Sequence, residues 1–471
     1  MKVLLLNPPN INYARISTGW DLEIGNIGMF PPYGLISLAA YVRKYRNYEM
    51  CVLDCVAENI GFEKLGDYLK KFQPSVVGIG AFTYTFYDVL KTFRLVKNIL
   101  PGTHICLGNA HTMLFPEETL SHPEVDSIIV GDGEAPFLEL LDRLKENKRI
   151  DDINGLYYKG QKKINKEKLQ INYIEDIDLL PFPAYDLVDG DKYRGTFGKS
   201  RKMLCICSSR GCPYQCTFCQ VLTKKYRMHS VEYIIDMIKY FYKQGYREFY
   251  FFDDLFNITT QRVIDISNAI LSNGLKISWI FRGRADKINE EMMKIASKAG
   301  CLSMLLGVED YTDEGLKMIK KGITIEQVKK AIELAHKYNI EVSTNWIIGL
   351  PNHKNVDDIK KLVQVSIDVR SDYAQYTILQ LLPGCKMFED AVNEGVVEKS
   401  SWTEFVKNPV PNYQVEPYDK YISIDELSKL YKYCHDFFYK RFSYILKRFL
   451  KLRSIYEFKR IIKPAIKILS G

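Results

Sequence analysis

The chain has 471 residues, which is too long for one compact domain. Apolar residues make up 46% of it and charged residues 26%, so the composition is globular and excludes a disordered or collagen-like chain. The net charge of +8 is accounted for by 436–471, with ten basic and two acidic side chains, while the remainder holds 55 of each; this neutral body excludes a general attraction to nucleic acid, and we expect no nucleic-acid partner.

Residues 1–145 alternate short apolar runs with amphipathic stretches such as 34–44 and 62–72. Each run is bounded by Gly, Pro or Asn and is apolar at successive positions, which is typical of a central strand in a parallel sheet. The pattern predicts an α/β domain with a doubly wound, Rossmann-like sheet. Its predicted strands are 3–6, 50–54, 75–80, 104–108 and 127–131.

Residues 146–197 are polar and contain two prolines, Pro181 and Pro183, which predicts a linker without chemistry. Six further strand-helix units follow in 198–400 and predict a partial (βα)6 barrel of the TIM type, with function at the C-terminal ends of its strands. Residues 401–471 predict a helical, basic, aromatic-rich C-terminal extension. The predicted barrel strands are 202–209, 247–254, 277–283, 302–309, 341–350 and 373–382.

The cellular compartment is predicted from apolar runs and cysteines. No apolar run approaches the roughly 18 residues needed to span a bilayer, and the short run after Lys2 indicates a buried strand rather than a signal peptide. Eleven cysteines in a chain of this length argue against a secreted disulfide scaffold, so we expect a cytoplasmic protein. Eight of them are expected in cores, with Cys385 near the barrel mouth: Cys51, Cys55, Cys106, Cys205, Cys207, Cys301, Cys385 and Cys434.

The strongest chemical signal is SSRGCPYQCTFCQ at 208–220, in which Cys212, Cys216 and Cys219 form a CxxxCxxC spacing. Three thiolates so close in sequence can converge on one metal centre, and iron–sulfur clusters take their ligands from such loops. A four-iron cluster held by three cysteines leaves one iron open for another ligand. A zinc site, with His229 or Cys207 as fourth ligand, is the alternative.

A CxxxCxxC loop after the first strand of a partial barrel resembles the radical S-adenosylmethionine (SAM) superfamily, over about 200–400. The resemblance implies that the three cysteines ligate a [4Fe–4S] cluster whose open iron is chelated by SAM. It further implies that one electron cleaves SAM to methionine and a 5′-deoxyadenosyl radical, which abstracts hydrogen. An electron donor such as flavodoxin or ferredoxin would be the protein partner.

Four further segments match the SAM-binding positions of that superfamily. An aromatic residue in the cysteine loop matches the side chain beside adenine. The end of the second barrel strand matches the site of the SAM amino group, with two Asp and one Asn in place of the commoner Gly-Gly-Glu. The fourth strand ends in the ribose-binding acid, and the backbone after the fifth receives adenine. Alone, each segment would be read as a strand end and a turn. The aromatic residue is Phe218, and the ribose-binding acid is Glu309. The amino-group site is matched by Asp253, Asp254 and Asn257, and the backbone that receives adenine by Ile348 and Gly349.

The N-terminal domain resembles the cobalamin-binding domain of B12-dependent radical SAM proteins. The match rests on LLNPP (5–9), PPYGLISLAAYV (31–42), VLD (52–54), AFTYTF (81–86), LGNAH (107–111) and VGDGEAPFLEL (130–140). Ligands of parallel sheets bind at the C-terminal ends of the strands. The resemblance therefore implies cobalamin contacts from Asn7, Pro8, Pro9, Asp54, Phe82, Thr83, Gly108, His111, Gly131, Gly133 and Glu134.

This domain departs from relatives in two places. No histidine lies in a DxHxxG motif, so no histidine of that type can ligate cobalt from below. Class B methylase-like members also lack this motif. Asn109 stands where many relatives have a second glycine, so an altered pose or an empty domain is the alternative to ordinary cobalamin binding. His111 is expected either at the ligand or on a surface loop. The segment 131–134 lacks the lysine of a phosphate loop and indicates a helix start.

Together these motifs predict a cobalamin-dependent radical SAM enzyme. The resemblance implies methyl transfer to an unactivated carbon or to phosphorus, with one SAM methylating cobalt and a second yielding the radical. Cyclisation or rearrangement, with or without cobalamin, is one alternative, and a non-catalytic iron–sulfur scaffold is another. The basic amphipathic pattern of 437–469 predicts either a helix on an anionic membrane surface or one packed on the barrel with a solvated basic face. The substrate would be a small or lipid-like molecule.

Overall fold

The protein is described by a computed structural model that covers residues 1–14, 28–161, 164, 169–195 and 203–450. Within these residues the chain divides into two units. The first contains 1–14, 29–193 and 398–415, and the second contains 194–397 and 416–450, each with the gaps just given. In the described part of the chain, no helix is long and apolar enough to cross a membrane.

The sheet of the first unit contains six strands. They are β1 (Lys2–Asn7), β2 (Glu49–Asp54), β3 (Val76–Gly80), β4 (His104–Gly108), β5 (Ser127–Ile129) and β6 (Leu156–Tyr158). Their spatial order is β2-β1-β3-β4-β5-β6; the β5–β6 pair is antiparallel and the other neighbouring pairs are parallel. Residues 3–6 of β1 are fully buried, because helices cover both faces of such a sheet. The predicted doubly wound sheet is confirmed.

Six helices connect these strands: α1 (Tyr33–Tyr45), α2 (Phe62–Phe72), α3 (Phe86–Ile99), α4 (Ala110–Leu114), α5 (Pro116–Ser121) and α6 (Glu134–Lys145). Their buried residues recur at helical spacing, as Leu65 and Leu69 do in α2, while Lys70 and Lys71 lie in its last turn. Basic side chains there interact favourably with the helix dipole. The amphipathic stretch predicted at 62–72 coincides with α2 at both ends.

The segment predicted as a linker joins the first unit. Its β6 strand extends the sheet at the β5 edge, and three short 3-10 turns follow: Ile177–Leu179, Tyr185–Leu187 and Gly190–Lys192. Asn172 lies against Gly131, whose φ is +97°, and a Cβ at Gly131 would lie 2.2 Å from the Asn172 carbonyl oxygen. The segment thus covers an edge of the sheet. The sequence does not reveal this, because β6 is an apolar run of only three residues.

A second six-stranded sheet forms the partial barrel. Its strands are β7 (Met203–Ile206), β8 (Glu248–Phe251), β9 (Ser278–Gly283), β10 (Cys301–Glu309), β11 (Glu341–Ile348) and β12 (Tyr373–Ile378). All are parallel and lie in chain order, which confirms the predicted (βα)6 arrangement and brings their carboxyl ends to one edge. Residue 202 of the first predicted strand lies outside the described residues.

Polar caps determine where most barrel helices begin. These helices are α7 (Val231–Lys243), α8 (Thr260–Ser272), α9 (Glu290–Lys298), α10 (Asp313–Met318), α11 (Ile325–Lys337), α12 (Val356–Asp368) and α13 (Lys386–Asn393). A Ser, Thr or Asn side chain accepts a backbone N–H at the start of six of them, and the caps are Ser230, Thr259, Asn289, Thr312, Thr324 and Asn355. Such caps satisfy otherwise unpaired donors of the first turn.

After the barrel the chain returns to the first unit. Helix α14 (Ser401–Lys407) packs against α5, and the imidazole Nε2 of His122 lies 2.8 Å from the Val406 carbonyl oxygen. Trp402 and Phe405 are buried there. Two helices of the second unit follow, α15 (Ile424–Tyr439) and α16 (Phe442–Leu450). Residues 451–469 of the predicted basic tail lie outside the described residues.

Candidate functional site

The cysteine loop follows β7 and is tied down by backbone contacts. Cys212 donates its backbone N–H to the Thr223 carbonyl at 3.1 Å. The Thr217 N–H donates to Ile319 at 3.0 Å, and the Thr217 carbonyl accepts from Met387 at 2.8 Å. Gly211 has a φ of +84°, and a Cβ there would lie 2.6 Å from a carbonyl oxygen of the same loop. The loop is therefore held between the end of α10 and the start of α13.

The three cysteines of this loop are half-buried free thiols. Burial raises the pKa of Cys212 and Cys219, and the Cys216 thiol adds to both shifts, so the three share one electrostatic environment. Across the described ranges, no three His, Cys, Asp or Glu side chains are already arranged as metal ligands. The donor set itself, three thiols on one loop, is the kind that binds a [4Fe–4S] cluster.

The two alternative zinc ligands have other contacts. His229 is buried, and its ring stacks on Tyr233 with centroids 3.9 Å apart. The Cys207 thiol lies 3.9 Å from the Phe252 carbonyl oxygen. Neither residue completes a ligand set with the three cysteines in the part of the chain that the structure covers.

Asp253 lies just after β8 and is buried with one free oxygen. Its Oδ1 accepts from the hydroxyls of Ser208 at 3.1 Å and Ser209 at 2.5 Å. Its Oδ2 has no hydrogen-bond partner among the described residues. Burial raises the pKa of Asp253 to about 6, although the two serines oppose the shift. A buried, unpaired carboxylate oxygen fits an N–H donor such as the amino group of SAM.

The other two residues matched to the amino-group motif differ from Asp253. Asn257 is fully buried and pairs with the Arg284 backbone, donating to its carbonyl at 2.9 Å and accepting from its N–H at 2.8 Å. This side chain ties the segment after β8 to the end of β9. The Asp254 side chain is exposed.

Glu309, the last residue of β10, lies in a buried ion pair. Its Oε1 is 2.9 Å from the ammonium of Lys321, and both side chains are about one-tenth exposed. The Lys321 ammonium also lies 5.8 Å from the ring centroid of Phe218, which is half-buried. The sequence reasoning missed Lys321, because one lysine beside Lys320 in a turn carries no distinguishing pattern.

The end of β11 combines a buried side chain with an unusual backbone. Ile348 is buried, and its carbonyl accepts from Leu379 at 2.9 Å. Gly349 has a φ of +80°, and a Cβ there would lie 3.1 Å from Leu427. Cys385 is buried, and its thiol lies 3.0 Å from the Leu382 carbonyl, as expected for a core cysteine.

In the first unit the strand order reverses direction between β1 and β3, and ligands of such sheets bind at that switch point. Asn7 ends β1, and the buried Pro8 and Pro9 follow it. Phe82, which follows β3, is 41% exposed. The Asn10 Oδ1 is buried and has no hydrogen-bond partner in the described chain. An exposed aromatic face and an unpaired acceptor fit a flat corrin with amide side chains.

Three predicted cobalamin contacts, Asp54, Thr83 and His111, form hydrogen bonds within the protein. Asp54 accepts from the Asn7 amide at 2.8 Å and from the Tyr193 hydroxyl at 3.0 Å. His111 is fully buried; its Nδ1 is 3.1 Å from the Thr83 hydroxyl and its Nε2 is 3.1 Å from that of Thr119. Burial lowers the pKa of His111 to about 3. The interpretation of His111 as a surface-loop residue was therefore wrong, because it lies on α4 inside the core.

The remaining predicted contacts follow β4 and β5. Gly131 is packed against Asn172, as described above, while Glu134 is buried in the first turn of α6 and Gly133 precedes it. The helix start predicted at this segment is thus observed. After Gly108, Asn109 adopts φ +80° and ψ −171°, a region that glycine favours, and its side-chain oxygen accepts from the Ala110 N–H at 2.8 Å.

Two family models match the chain. The Radical SAM superfamily matches residues 206–365, and the B12 binding domain matches residues 28–141. The first match includes the cysteine loop and β8 to β11, and the second includes β2 to β5.

Whole-chain comparisons agree with these matches. The uncharacterized methyltransferase PH0819 of Pyrococcus horikoshii is 31% identical over 99% of this chain and 98% of its own. An anaerobic magnesium-protoporphyrin IX monomethyl ester cyclase of Rubrivivax gelatinosus is 25% identical, over 83% of this chain and 70% of its own. The solved structure of the radical SAM methyltransferase TsrM from Kitasatospora setae, with cobalamin and a [4Fe–4S] cluster bound, has the same fold. It is 17% identical, covers 91% of this chain and 85% of its own, and has a TM-score of 0.66.

Proposed function

This chain belongs to the cobalamin-dependent radical SAM enzymes, and from that premise we propose that it transfers a methyl group to a carbon or phosphorus atom of a small or lipid-like acceptor. The observation that carries the proposal is the likeness to a relative named as a methyltransferase over 99% of this chain. When bound, the cluster supplies the electron that cleaves SAM, and cobalamin carries a methyl group.

We propose that Cys212, Cys216 and Cys219 hold the cluster. The support is their position on one loop whose backbone is fastened at both sides, so that the three thiols stay near one another. The loop contributes no histidine or carboxylate to compete with them. An electron donor such as flavodoxin or ferredoxin would reduce the cluster.

For SAM, we propose that Asp253 accepts a hydrogen bond from the amino group and Glu309 from the ribose hydroxyls. Asp253 is supported by its unpaired buried oxygen. Glu309 is supported by its place at a strand end, with Lys321 holding its carboxylate. Phe218 and the Ile348–Gly349 backbone would contact adenine. Asp254, the exposed neighbour of Asp253, would be a further contact to the SAM amino group.

For cobalamin, we propose contacts from residues at the switch point of the first sheet. The support is their position at the ends of β1, β3 and β4, together with the exposed ring of Phe82 and the unpaired acceptor of Asn10. Asn10 joins this set because of its free Oδ1. The proposed contacts are Asn7, Pro8, Pro9, Asn10, Phe82 and Gly108.

Cyclisation or rearrangement is the second candidate reaction. It is favoured by the likeness to a cyclase over 83% of this chain. SAM labelled in its methyl group separates the two reactions. Transfer of the label to a product supports methyl transfer, and a product without label, formed together with 5′-deoxyadenosine, supports cyclisation or rearrangement.

We expect the Cys216→Ala variant to form no 5′-deoxyadenosine, because an open cluster lacking one thiolate ligand is not retained. Protein purified without oxygen, reconstituted with iron and sulfide, and incubated with hydroxocobalamin is desalted and assayed for iron and cobalt. About four irons and one cobalt per chain are expected in the wild type. Cys385→Ala is the control, since its thiol is buried in a turn. Reductive SAM cleavage by Cys216→Ala would contradict the assignment.

We also propose peripheral contact with an anionic membrane through α16. Its basic side chains face the barrel: Lys447 lies 3.2 Å from Asp372 and Arg448 lies 2.8 Å from Glu341. The solvated basic face expected for a helix packed on the barrel is therefore not observed, and the apolar side chains face solvent instead. They are Phe442, Ile445, Leu446, Phe449 and Leu450, with exposures of 79%, 42%, 46%, 63% and 75%. Exposed apolar side chains at helical spacing, followed by a basic segment in sequence, are typical of membrane-surface helices.

A further inference from the structure

We propose that Asp310 and His353 are positioning residues for SAM, which hold the ends of β10 and β11 so that Glu309 presents its carboxylate. The inference rests on the proposed function, because Glu309 is taken there as the contact to the SAM ribose. Neither residue touches SAM in this proposal. Each acts through the backbone of its strand end.

The Asp310 carboxylate joins three segments of the barrel. It is fully buried, and its Oδ1 accepts from the backbone N–H of Thr312 at 2.8 Å and from the Thr312 hydroxyl at 2.9 Å. Its Oδ2 accepts from the Asn352 amide at 2.9 Å and from the His353 Nε2 at 2.9 Å. These contacts tie the end of β10 to the cap of α10 and to the loop after β11.

The His353 ring is oriented by a second hydrogen bond. Its Nδ1 accepts from the Leu350 backbone N–H at 3.2 Å, so the ring proton lies on Nε2 and is donated to Asp310. His353 is fully buried, and its own N–H donates to the Leu350 carbonyl at 2.8 Å. The loop that begins at Gly349 is therefore closed on itself and fastened to the neighbouring strand end.

The backbone at Glu309 requires such a fastening. Glu309 has a φ of +81°, which an L-residue adopts only when surrounding contacts impose it. The pairing of β10 with β11 shifts register between Gly307 and Glu309, which is the mark of a β-bulge. A Cβ at Gly307 would lie 2.2 Å from the Glu309 Oε1, so the carboxylate folds back over a glycine toward Lys321. Asp310, the next residue, is the group that over-determines this conformation.

The cluster is tightly packed and charged. A Cβ at Gly315 would lie 2.3 Å from the Asp310 Oδ1, which leaves no room for the carboxylate to move toward α10. Burial alone would raise the pKa of Asp310, but the hydrogen bonds from His353, Asn352 and Thr312 outweigh burial and lower it. Asp310 therefore stays ionised, and an ionised acceptor gives the stronger hydrogen bonds.

The test uses cluster-loaded protein and the variants His353→Phe and His353→Gln. Phe keeps a planar ring but donates nothing to Asp310, whereas Gln keeps a donor. We expect His353→Phe to raise both the KM and the dissociation constant for SAM about tenfold, while kcat for 5′-deoxyadenosine formation changes much less. His353→Gln should recover most of the affinity. Equilibrium dialysis with SAM measures binding independently of turnover.

His336→Phe is the matched control. The His336 Nε2 lies 2.7 Å from the buried Asp372, which also accepts from the Val342 N–H near the opposite, amino end of β11. The His336→Phe variant should have lower thermal stability than the wild type and the same SAM affinity. An unchanged dissociation constant in His353→Phe, with stability lowered as in the control, would overturn the inference. Should His353→Phe not fold, Asp310→Asn carries the same expectation and the same refutation. Wild-type protein that retains its cluster but does not bind SAM would instead overturn the proposed function.

Discussion

Single residues in this protein differ in how many of their hydrogen bonds are already satisfied. Asp54, Asn257 and His111 are saturated within the fold, whereas Asp253 keeps one buried oxygen unpaired in the described chain. A polar atom without a partner in a buried place is costly, so its retention favours a ligand. This distinction favours Asp253 over Asn257 as the proposed contact to the SAM amino group.

The raised pKa of Asp253 leads to a pH dependence of SAM binding. Burial favours the protonated acid below about pH 6, and a neutral acid accepts an N–H hydrogen bond more weakly than a carboxylate does. We therefore expect SAM affinity to increase as pH rises through about 6, with a limiting slope near tenfold per pH unit below it. Equilibrium dialysis between about pH 5 and 8 measures this slope. Asp253→Asn should bind more weakly at the upper end and show a flat profile. A flat profile in the wild type would contradict the role of Asp253.

Asn109 stores backbone strain after β4, next to Gly108, which is one of the proposed cobalamin contacts. Its φ and ψ lie in a region essentially restricted to glycine, at a cost of about 1–3 kcal/mol. Asn109→Gly should raise the free energy of unfolding by about 1 kcal/mol, after the lost cap and the greater freedom of glycine in the unfolded chain are subtracted. Urea denaturation measures the change. Asn147→Gly is the control, since a φ of +50° is tolerated by Asn and little change is expected. A lower free energy of unfolding in Asn109→Gly would contradict the inference that the backbone of Asn109 is strained.

At the scale of single elements, local pattern predicts bounds better than orientation. Helix α2 ends where its apolar spacing ends, and capping side chains mark the starts of barrel helices. Helix α16 has an equally clear amphipathic pattern, yet its charged side chains face the protein. The reason is that acidic partners at Asp372 and Glu341 lie beneath it, and a local pattern contains no information about them.

The exposed apolar residues of α16 predict vesicle binding. We expect the double variant Phe442→Ser, Phe449→Ser to bind vesicles of phosphatidylglycerol and phosphatidylcholine at least tenfold more weakly, because each buried aromatic contributes about 1.5–3 kcal/mol. Co-sedimentation measures the bound fraction. Leu271→Ser on α8 is the control, an exposed apolar residue outside this helix. Membrane contact through α16 would be contradicted if both variants and the wild type sedimented with vesicles to the same extent. It would also be contradicted if the wild type did not sediment with vesicles.

At the scale of the whole molecule, the two units are not contiguous in sequence. The predicted boundaries at 145 and 400 follow changes in composition, but residues up to 193 and again 398–415 belong to the first unit. The returning segment is fastened by His122 and by buried Trp402 and Phe405. Contacts across 284 positions of sequence, such as that of His122 with Val406, leave no local pattern.

Sequence patterns alone were enough to predict the parallel strands of both sheets, their order along the chain, and the cysteine loop that identifies the family. These features depend on periodicity and spacing, which are local. The tertiary structure alone decided which polar residues remain available, since hydrogen-bond partners such as Asn257 and Arg284, or Asp310 and His353, are 27 and 43 positions apart. It also brought Lys321 to Glu309 and turned the apolar face of α16 outward. Pairings of this kind arise only when the strands are assembled, because no residue's neighbours along the chain specify them.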